Sequence, residues 1–340
     1  MRTDVLPAIE MRIGAYPRVT KYPVDFARPE THVRMLRNES KYQLFSGALA
    51  QVVYGKRVLD VGTGSGILAL LSVAHGATRV VGVERGEVTG ITKAVLERYR
   101  RGRLVELWEG DAFDAKLGKG KFDIIVSETI GYIGFEENIV PILSYARESF
   151  GSPGALVMPL DMAIEIEPCC IASEVGNEHP YLSLEPTGAA SLVRSGTLEP
   201  VRLGVALEQS PLLADTWKAT ARVSLNAVAV YFNAGLPGAS RVTNRGSARW
   251  PHCVVPFHRP IRLGGGETIT CRLHLEASVG ESYEVALQIQ DSDGNMLEGA
   301  AFDSTEIRTE LLTPAPNTVD AVAREAENVL RSLDLFARLA

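Results

Sequence analysis

A doubly wound α/β domain followed by an all-β domain is the fold class this sequence predicts, on three observations. Residues 58–67, VLDVGTGSGI, pass from a β-branched run through alternating glycines into an apolar segment, the pattern of a strand, a tight turn and a helix start. From there to residue 158, strand-like and helix-like segments alternate, which predicts a parallel sheet covered by helices. Past Pro159 the texture changes to short apolar–polar alternations punctuated by turn residues. With 340 residues the chain has room for two ordinary domains, each with its own core.

The elements follow in order. Residues 1–54 form an N-terminal segment and helix: the first thirty mix Pro, Tyr and charge, and then Met35, Leu36, Leu44, Ala48 and Val52 recur at helical steps, predicting one helix over 31–53. Residues 55–160 hold the sheet domain, with strands over 58–61, 79–83, 104–108, 122–126 and 154–158. Helices are expected over 67–75, where Gly76 stops the first, and over 88–100 and 139–150. Residues 161–312 form the all-β domain, a sandwich or barrel, with strands in the runs 163–167, 221–225, 228–232, 268–273 and 283–289. Within it, residues 179–196 read as loop, either a projecting arm or a surface excursion. Residues 313–340 end the chain in a helix whose stripe, Val319, Val322, Ala326, Val329, Leu333 and Phe336, is expected to pack on the β domain or on a second subunit.

Composition narrows the function. A formal charge of -6 argues against a nucleic-acid partner, which favours a basic face. Cys169, Cys170, Cys253 and Cys271 show neither metal-ligand spacing nor a secreted disulfide framework, so buried reduced thiols are expected. No signal-peptide core and no membrane-spanning apolar run stand out, so the expectation is a cytoplasmic protein away from membranes.

The candidate chemistry sits where strands end. Gly62, Gly64 and Gly66 lack Cβ atoms, so their turn can approach a ligand closely. A dinucleotide fingerprint, G-x-G-x-x-G, is the rival, but here the third glycine comes one residue early. Glu84 ends the second strand, where a carboxylate can accept from both hydroxyls of a ribose; a solvated strand-end acid is the plainer alternative. Asp111 ends the third and could receive an adenine amine or simply face solvent. Asp60 more plausibly orients the turn or a ligand ammonium than does chemistry. After the fourth strand comes SETIGYIGFEE, in which Glu128 and Glu137 bracket a loop that glycines allow to fold back. Paired carboxylates serve acid–base catalysis, a metal, or a cation clamp; without further ligands nearby, metal is disfavoured.

Two motifs carry a family resemblance. The G-x-G-x-G turn led by Asp60 resembles motif I of the class I S-adenosylmethionine (SAM) methyltransferases, and S-E-x-x-G-Y-x-x-F-x-E resembles the double-glutamate loop of the protein arginine methyltransferases. Tyr22, Phe26, His32, Met35 and Leu36 are similar to that family's N-terminal helix, residues 228–233 to one of its barrel strands, and Arg249-Trp250 falls at its Thr-His-Trp loop. The resemblance runs from about residue 22 to 311. It implies a Rossmann-like SAM-binding domain under a helical lid, a β-barrel domain, and a homodimer through an arm at about 179–196.

By position it also implies roles. SAM, leaving as S-adenosylhomocysteine (SAH), would be held by His32, Met35, Lys41, Asp60, Gly62, Gly64, Gly66, Glu84 and Asp111, with no metal. Glu128 and Glu137 would clamp a guanidinium, with Glu136 the alternative if the loop register differs. Tyr22, Phe26, Tyr132 and Trp250 would line the acceptor side. Lys41 stands where the family has a cofactor-binding arginine, Phe113 replaces its adenine-contacting glutamate, and Arg249 and Asn38 replace a His–Asp pair. Those changes place free L-arginine or a small guanidine compound slightly ahead of a protein or peptide arginine as acceptor. A non-catalytic SAM-binding interaction module is the reading from another class; retention of both glutamates speaks against it.

Overall fold

The computed structural model describes residues 21–118, 121–171, 179–183, 191–195, 201–204, 212–247, 249–277, 282–309 and 314–340. The first twenty residues of the N-terminal segment, residues 184–190 and 196 of the expected arm and the end of the β domain at 310–312 lie outside the described residues.

The helix expected over 31–53 is two: α1 (Pro29–Leu36) and α2 (Glu39–Val52). Asn38 makes the break, because its Oδ1 accepts from the Lys41 N–H at 3.3 Å and from the Ser40 hydroxyl at 3.0 Å. A short amide side chain that bonds nearby backbone starts a new helix rather than continuing the old one.

The first domain is a five-stranded sheet of β1 (Arg57–Val61), β2 (Arg79–Glu84), β3 (Val105–Glu109), β4 (Phe122–Val126) and β5 (Gly151–Met158). Its order is β3-β2-β1-β4-β5, and every pair is parallel. Helices α3 (Ile67–Ala74), α4 (Val88–Leu96) and α5 (Ile139–Phe150) alternate with the strands. α3 is buried along its whole length, which explains why its sequence is apolar all round. The helix expected over 88–100 stops at Leu96, and a 3₁₀ turn over Arg100–Leu104 leads into β3.

The second domain contributes β6 (Asp161–Cys169), β7 (Tyr181–Ser183), β8 (Leu192–Ser195), β9 (Val201–Arg202), β10 (Leu212–Ala219), β11 (Val223–Gly235), β12 (Arg241–Thr243), β13 (His252–Leu263), β14 (Thr268–Ala277), β15 (Tyr283–Asp291) and β16 (Met296–Asp303). They form two antiparallel sheets, β16-β15-β14-β10-β8 and β7-β13-β11-β6-β9, with β12 on β11. Among the described residues no strand ladder joins the sheets, so the barrel expected from sequence is not closed by a continuous ladder. Isolated contacts span the gap: the Leu182 N–H donates to the Arg308 carbonyl at 3.0 Å just past β16, the Arg308 N–H to the Pro180 carbonyl at 2.9 Å, and His258 Nδ1 on β13 lies 3.1 Å from Glu298 Oε1 on β16. The runs 221–225 and 228–232 belong to one strand, β11. Its register shifts between Leu225 and Ala227, and Asn226 there bonds both the N–H (2.7 Å) and the C=O (2.9 Å) of Ile171. Residues 179–196 are not simply loop: β7 adds to one sheet and β8 to the other.

The last helix, α6 (Val319–Ser332), does not pack where expected. Its buried face, Ala321, Val322, Ala323, Ala326, Val329 and Leu330, lies against α1, α2 and α4 of the first domain. Arg37 pairs with Glu325 at 3.0 Å, and Arg98 pairs with Asp320. A one-sided stripe specifies burial but not the partner surface, and here the partner is the helical layer beside α1.

Candidate active site

In the parallel sheet the strand order reverses between β1 and β4, and ligands bind beyond the carboxyl ends of strands at such a point. The Ser127 hydroxyl, just past β4, donates to the Val61 carbonyl at 2.7 Å and ties the two strand ends together. A cavity of about 830 Å³ opens there. Gly62, Gly64, Glu84, Asp111, Phe113, Glu128 and Glu137 line it from the sheet side; Tyr22, Phe26, His32 and Met35 line it from the N-terminal segment.

Gly62 sits at φ +69°, and a Cβ there would come within 2.7 Å of Thr129 Cγ2. Gly62→Ala is therefore expected to destabilise the fold by about 1–3 kcal/mol and to weaken ligand binding in the larger cavity. Pairing it with Thr129→Ser should recover the clash portion but not the backbone portion, as read by denaturant unfolding.

Glu84 holds the turn. Its Oε2 accepts the Gly64 N–H at 2.7 Å and its Oε1 the Arg85 N–H at 2.8 Å. A carboxylate offers about four lone-pair sites, so two stay open to a diol. Burial raises the Glu84 pKa, and the two amide hydrogen bonds oppose the rise. Asp111 Oδ1 accepts the Phe113 N–H at 2.9 Å, and its Oδ2 lies 3.6 Å from Arg85 Nη1. His32 Nε2 is 2.9 Å from the Phe26 carbonyl, and burial lowers its pKa, so the ring is neutral.

Four expected contacts fall elsewhere, Lys41 below among them. Asp60 and Gly66 do not line either cavity. Asp60 is buried beneath the turn and accepts the Thr63 hydroxyl at 2.6 Å, with burial lifting its pKa to about 7. Gly66 is the left-handed residue that starts α3. Tyr22, expected on the acceptor side, lines only the larger cavity, where its hydroxyl accepts from Arg85 Nη2 at 2.7 Å.

The double-glutamate loop folds back on itself. Gly131 and Gly134 exchange N–H···O bonds of 3.2 and 3.1 Å, and Glu136 Oε1 accepts the Ile133 N–H at 2.9 Å. A Cβ on Gly131 would land 2.0 Å from the Glu136 carboxyl carbon. Glu136, buried with its pKa raised to about 7 by desolvation, is thus the loop's internal brace and lines neither cavity. Two asparagines that sequence reasoning missed anchor the loop to the second domain. Asn138 Oδ1 accepts the Tyr283 hydroxyl at 3.0 Å. Asn244 Nδ2 donates to the Tyr132 and Pro251 carbonyls, both at 3.1 Å. An Asn directly before a helix is a readable start signal, whereas nothing local marks Asn244.

A second, smaller cavity of about 130 Å³ adjoins the first, sharing Phe26, Met35, Glu128 and Glu137 with it. Tyr132, Trp250, Arg34, Arg37 and Arg249 add to its walls. Lys41, expected at the cofactor carboxylate, lines this cavity and not the larger one. Its side chain is 3% exposed, with Nζ 2.8 Å from Glu128 Oε2 and 4.6 Å above the Trp250 ring. Burial alone would lower the lysine pKa, but the Glu128 carboxylate together with Tyr42 outweighs it and raises the pKa. Burial raises Glu128, and Lys41 opposes the rise. Glu137 is pushed well above the ordinary glutamate range by burial and then by Glu136 and Glu128. Two buried carboxylates sharing one lysine lack a second cation, and a planar guanidinium with its fork of donors would supply it.

Among the described residues no group of three or more His, Cys, Asp or Glu is placed to hold a metal. His252, near Trp250, stacks on Tyr231 at 4.8 Å, and burial lowers its pKa to about 4, a structural role.

Residues 47–131 match the family described as "Ribosomal protein L11 methyltransferase (PrmA)". The chain is 31% identical over 131 residues to protein arginine N-methyltransferase 1 of Dictyostelium discoideum, covering 38% of each chain. It is 31% identical over 138 residues to the Saccharomyces cerevisiae protein of that name, covering 40% of each. The matched segment thus spans about two fifths of these relatives. In fold the likeness is wider. A structure described as the Trypanosoma brucei PRMT1 enzyme–prozyme heterotetrameric complex with AdoHcy superposes with a TM-score of 0.70 at 18% identity, over 82% of this chain and 99% of that one. Protein arginine methyltransferase 10 of Arabidopsis thaliana gives 0.66 at 17% identity, over 80% and 96%. The overall architecture, a Rossmann-like sheet domain joined to a β domain, is that of these structures.

Proposed function

We propose that this chain is a SAM-dependent arginine N-methyltransferase, and the observation that carries the reading is the position of Glu128 and Glu137 where the two cavities meet. The larger cavity falls in the size range of small-molecule sites. Its residues fit SAM: the Cβ-free turn admits close approach, Glu84 has lone pairs for the ribose hydroxyls, and Phe113 adds an apolar side chain to the lining. When bound, SAM supplies an electrophilic methyl group on a sulfonium.

The chain's own residues would do the rest. Glu128 and Glu137 hold the guanidinium plane and aim one terminal nitrogen at the larger cavity. Their charge offsets the repulsion between two cations in a closed site. A guanidinium stays protonated at any cellular pH, so the clamp binds the charged acceptor, and a proton leaves during or after transfer. Glu137, which lines both cavities, is the group we assign to accept it.

The names of the relatives favour arginine in a protein or peptide over the free amino acid put first from sequence. The family resemblance also brings a homodimer to this reading. The test is turnover: protein incubated with SAM should release SAH only when an arginine acceptor is added. SAM binding without transfer to free arginine, peptide or protein would leave the non-catalytic binding module in its place.

A further inference from the structure

The charged lining of the smaller cavity is lopsided. Beyond Glu128 and Glu137 it contains no acid, while Arg34, Arg37, Lys41 and Arg249 all contribute. Lys41 is committed to Glu128, and Arg37 uses its Nε on Glu325 at 3.0 Å. Arg34 reaches Glu30 only at 4.0 Å. Arg249 is exposed and, among the described residues, makes no ion pair. Around a guanidinium seated on the two glutamates, the next shell is therefore cationic. An acceptor arginine flanked by further arginines or lysines would meet like charge there, despite the chain's acidic total.

Resting on the function proposed above, we propose that the acceptor presents a carboxylate beside its guanidinium, and that Arg249, with Arg34 and Arg37, reads it. An arginine fork matches a carboxylate bidentately, so these side chains fit such a group in shape as well as sign. The carboxylate can come from the α-carboxyl of free arginine or from an Asp or Glu next to an arginine in a peptide. Both present the same chemistry to the rim. The sequence change seen at Arg249 and Asn38 then becomes a change of acceptor preference, with a cation placed on the acceptor-facing wall.

Five acceptors separate the outcomes: L-arginine, agmatine (the same guanidine without the carboxylate), and one arginine peptide flanked by Asp, by Ala or by Lys. A charge-assisted hydrogen bond of this kind is worth about tenfold or more in affinity. If free arginine is the source, L-arginine should exceed agmatine in kcat/KM by about that factor; if a peptide is, the Asp-flanked version should exceed the Lys-flanked one by as much. Arg249→Glu should reduce whichever ratio is seen to near one, and Arg249→Lys should keep part of it, a pattern that a merely structural role would not give. Transfer that proceeds with agmatine equal to arginine and the Lys-flanked peptide equal to or better than the Asp-flanked one overturns this proposal and leaves the methyltransferase reading standing. Absence of transfer to all five overturns both.

Discussion

Glu137→Gln is expected to lower kcat/KM for an arginine acceptor by about 10²- to 10³-fold, the cost of removing one partner from a buried charge-paired site, while changing SAM affinity far less. The substitution keeps the shape of the side chain and removes only its charge. Glu137 has no lysine of its own: burial, Glu136 and Glu128 all push its pKa up, and only Lys41, already bonded to Glu128, pulls it down. A pH profile follows from the same shift. The ionised pair binds the cationic acceptor and the protonated pair does not, so kcat/KM should rise with pH through an apparent pKa above the ordinary glutamate range. In Glu137→Gln that limb should move toward lower pH, because Glu128 alone is opposed by Lys41. A flat profile between pH 5 and 8 (~ the range over which a raised carboxylate would titrate) would count against the clamp.

The second large effect is on stability. Lys41→Met leaves Glu128 buried without its cation, and breaking a buried pair in this way costs about 3–5 kcal/mol. Glu128→Gln should be costly for the converse reason, because it strands a buried ammonium over Trp250. The double variant should be much more stable than the sum of the two losses allows, since a Met beside a Gln leaves no charge uncompensated. Its activity should stay lost, because Glu128 belongs to the clamp. Denaturant unfolding of the four proteins gives the coupling directly, and additive losses would show that the pair does not act as a unit.

How far the sequence reached follows from distance along the chain. The glycine turn, Glu84, Asp111 and the Glu128–Glu137 loop were legible because each lies at a strand end, and strand ends follow from local periodicity. Phe113 packs its ring 5.0 Å from that of Tyr145, a contact that local periodicity does not announce. Contacts between distant segments were not legible. Lys41 finds Glu128 across 87 positions, Asn244 finds Tyr132 across 112, and Tyr283 finds Asn138 across 145. No period encodes such pairings, which is why Lys41 was placed on the cofactor by analogy with an arginine. Strands β7, β9 and β12, of two or three residues, are too short to show alternation. For α6 the stripe announced a buried face, yet nothing in it distinguished the β domain from α1 and α4.

On this reading the methyl group goes to a guanidinium nitrogen. The decisive measurement incubates the protein with SAM labelled on its methyl group and an arginine-containing peptide, then fragments the product in a mass spectrometer. The label should appear on a terminal guanidino nitrogen and fall by about 10²- to 10³-fold in rate with Glu137→Gln. Label on a lysine, a histidine, a carboxylate or the backbone, or transfer that persists undiminished in Glu137→Gln, would contradict it.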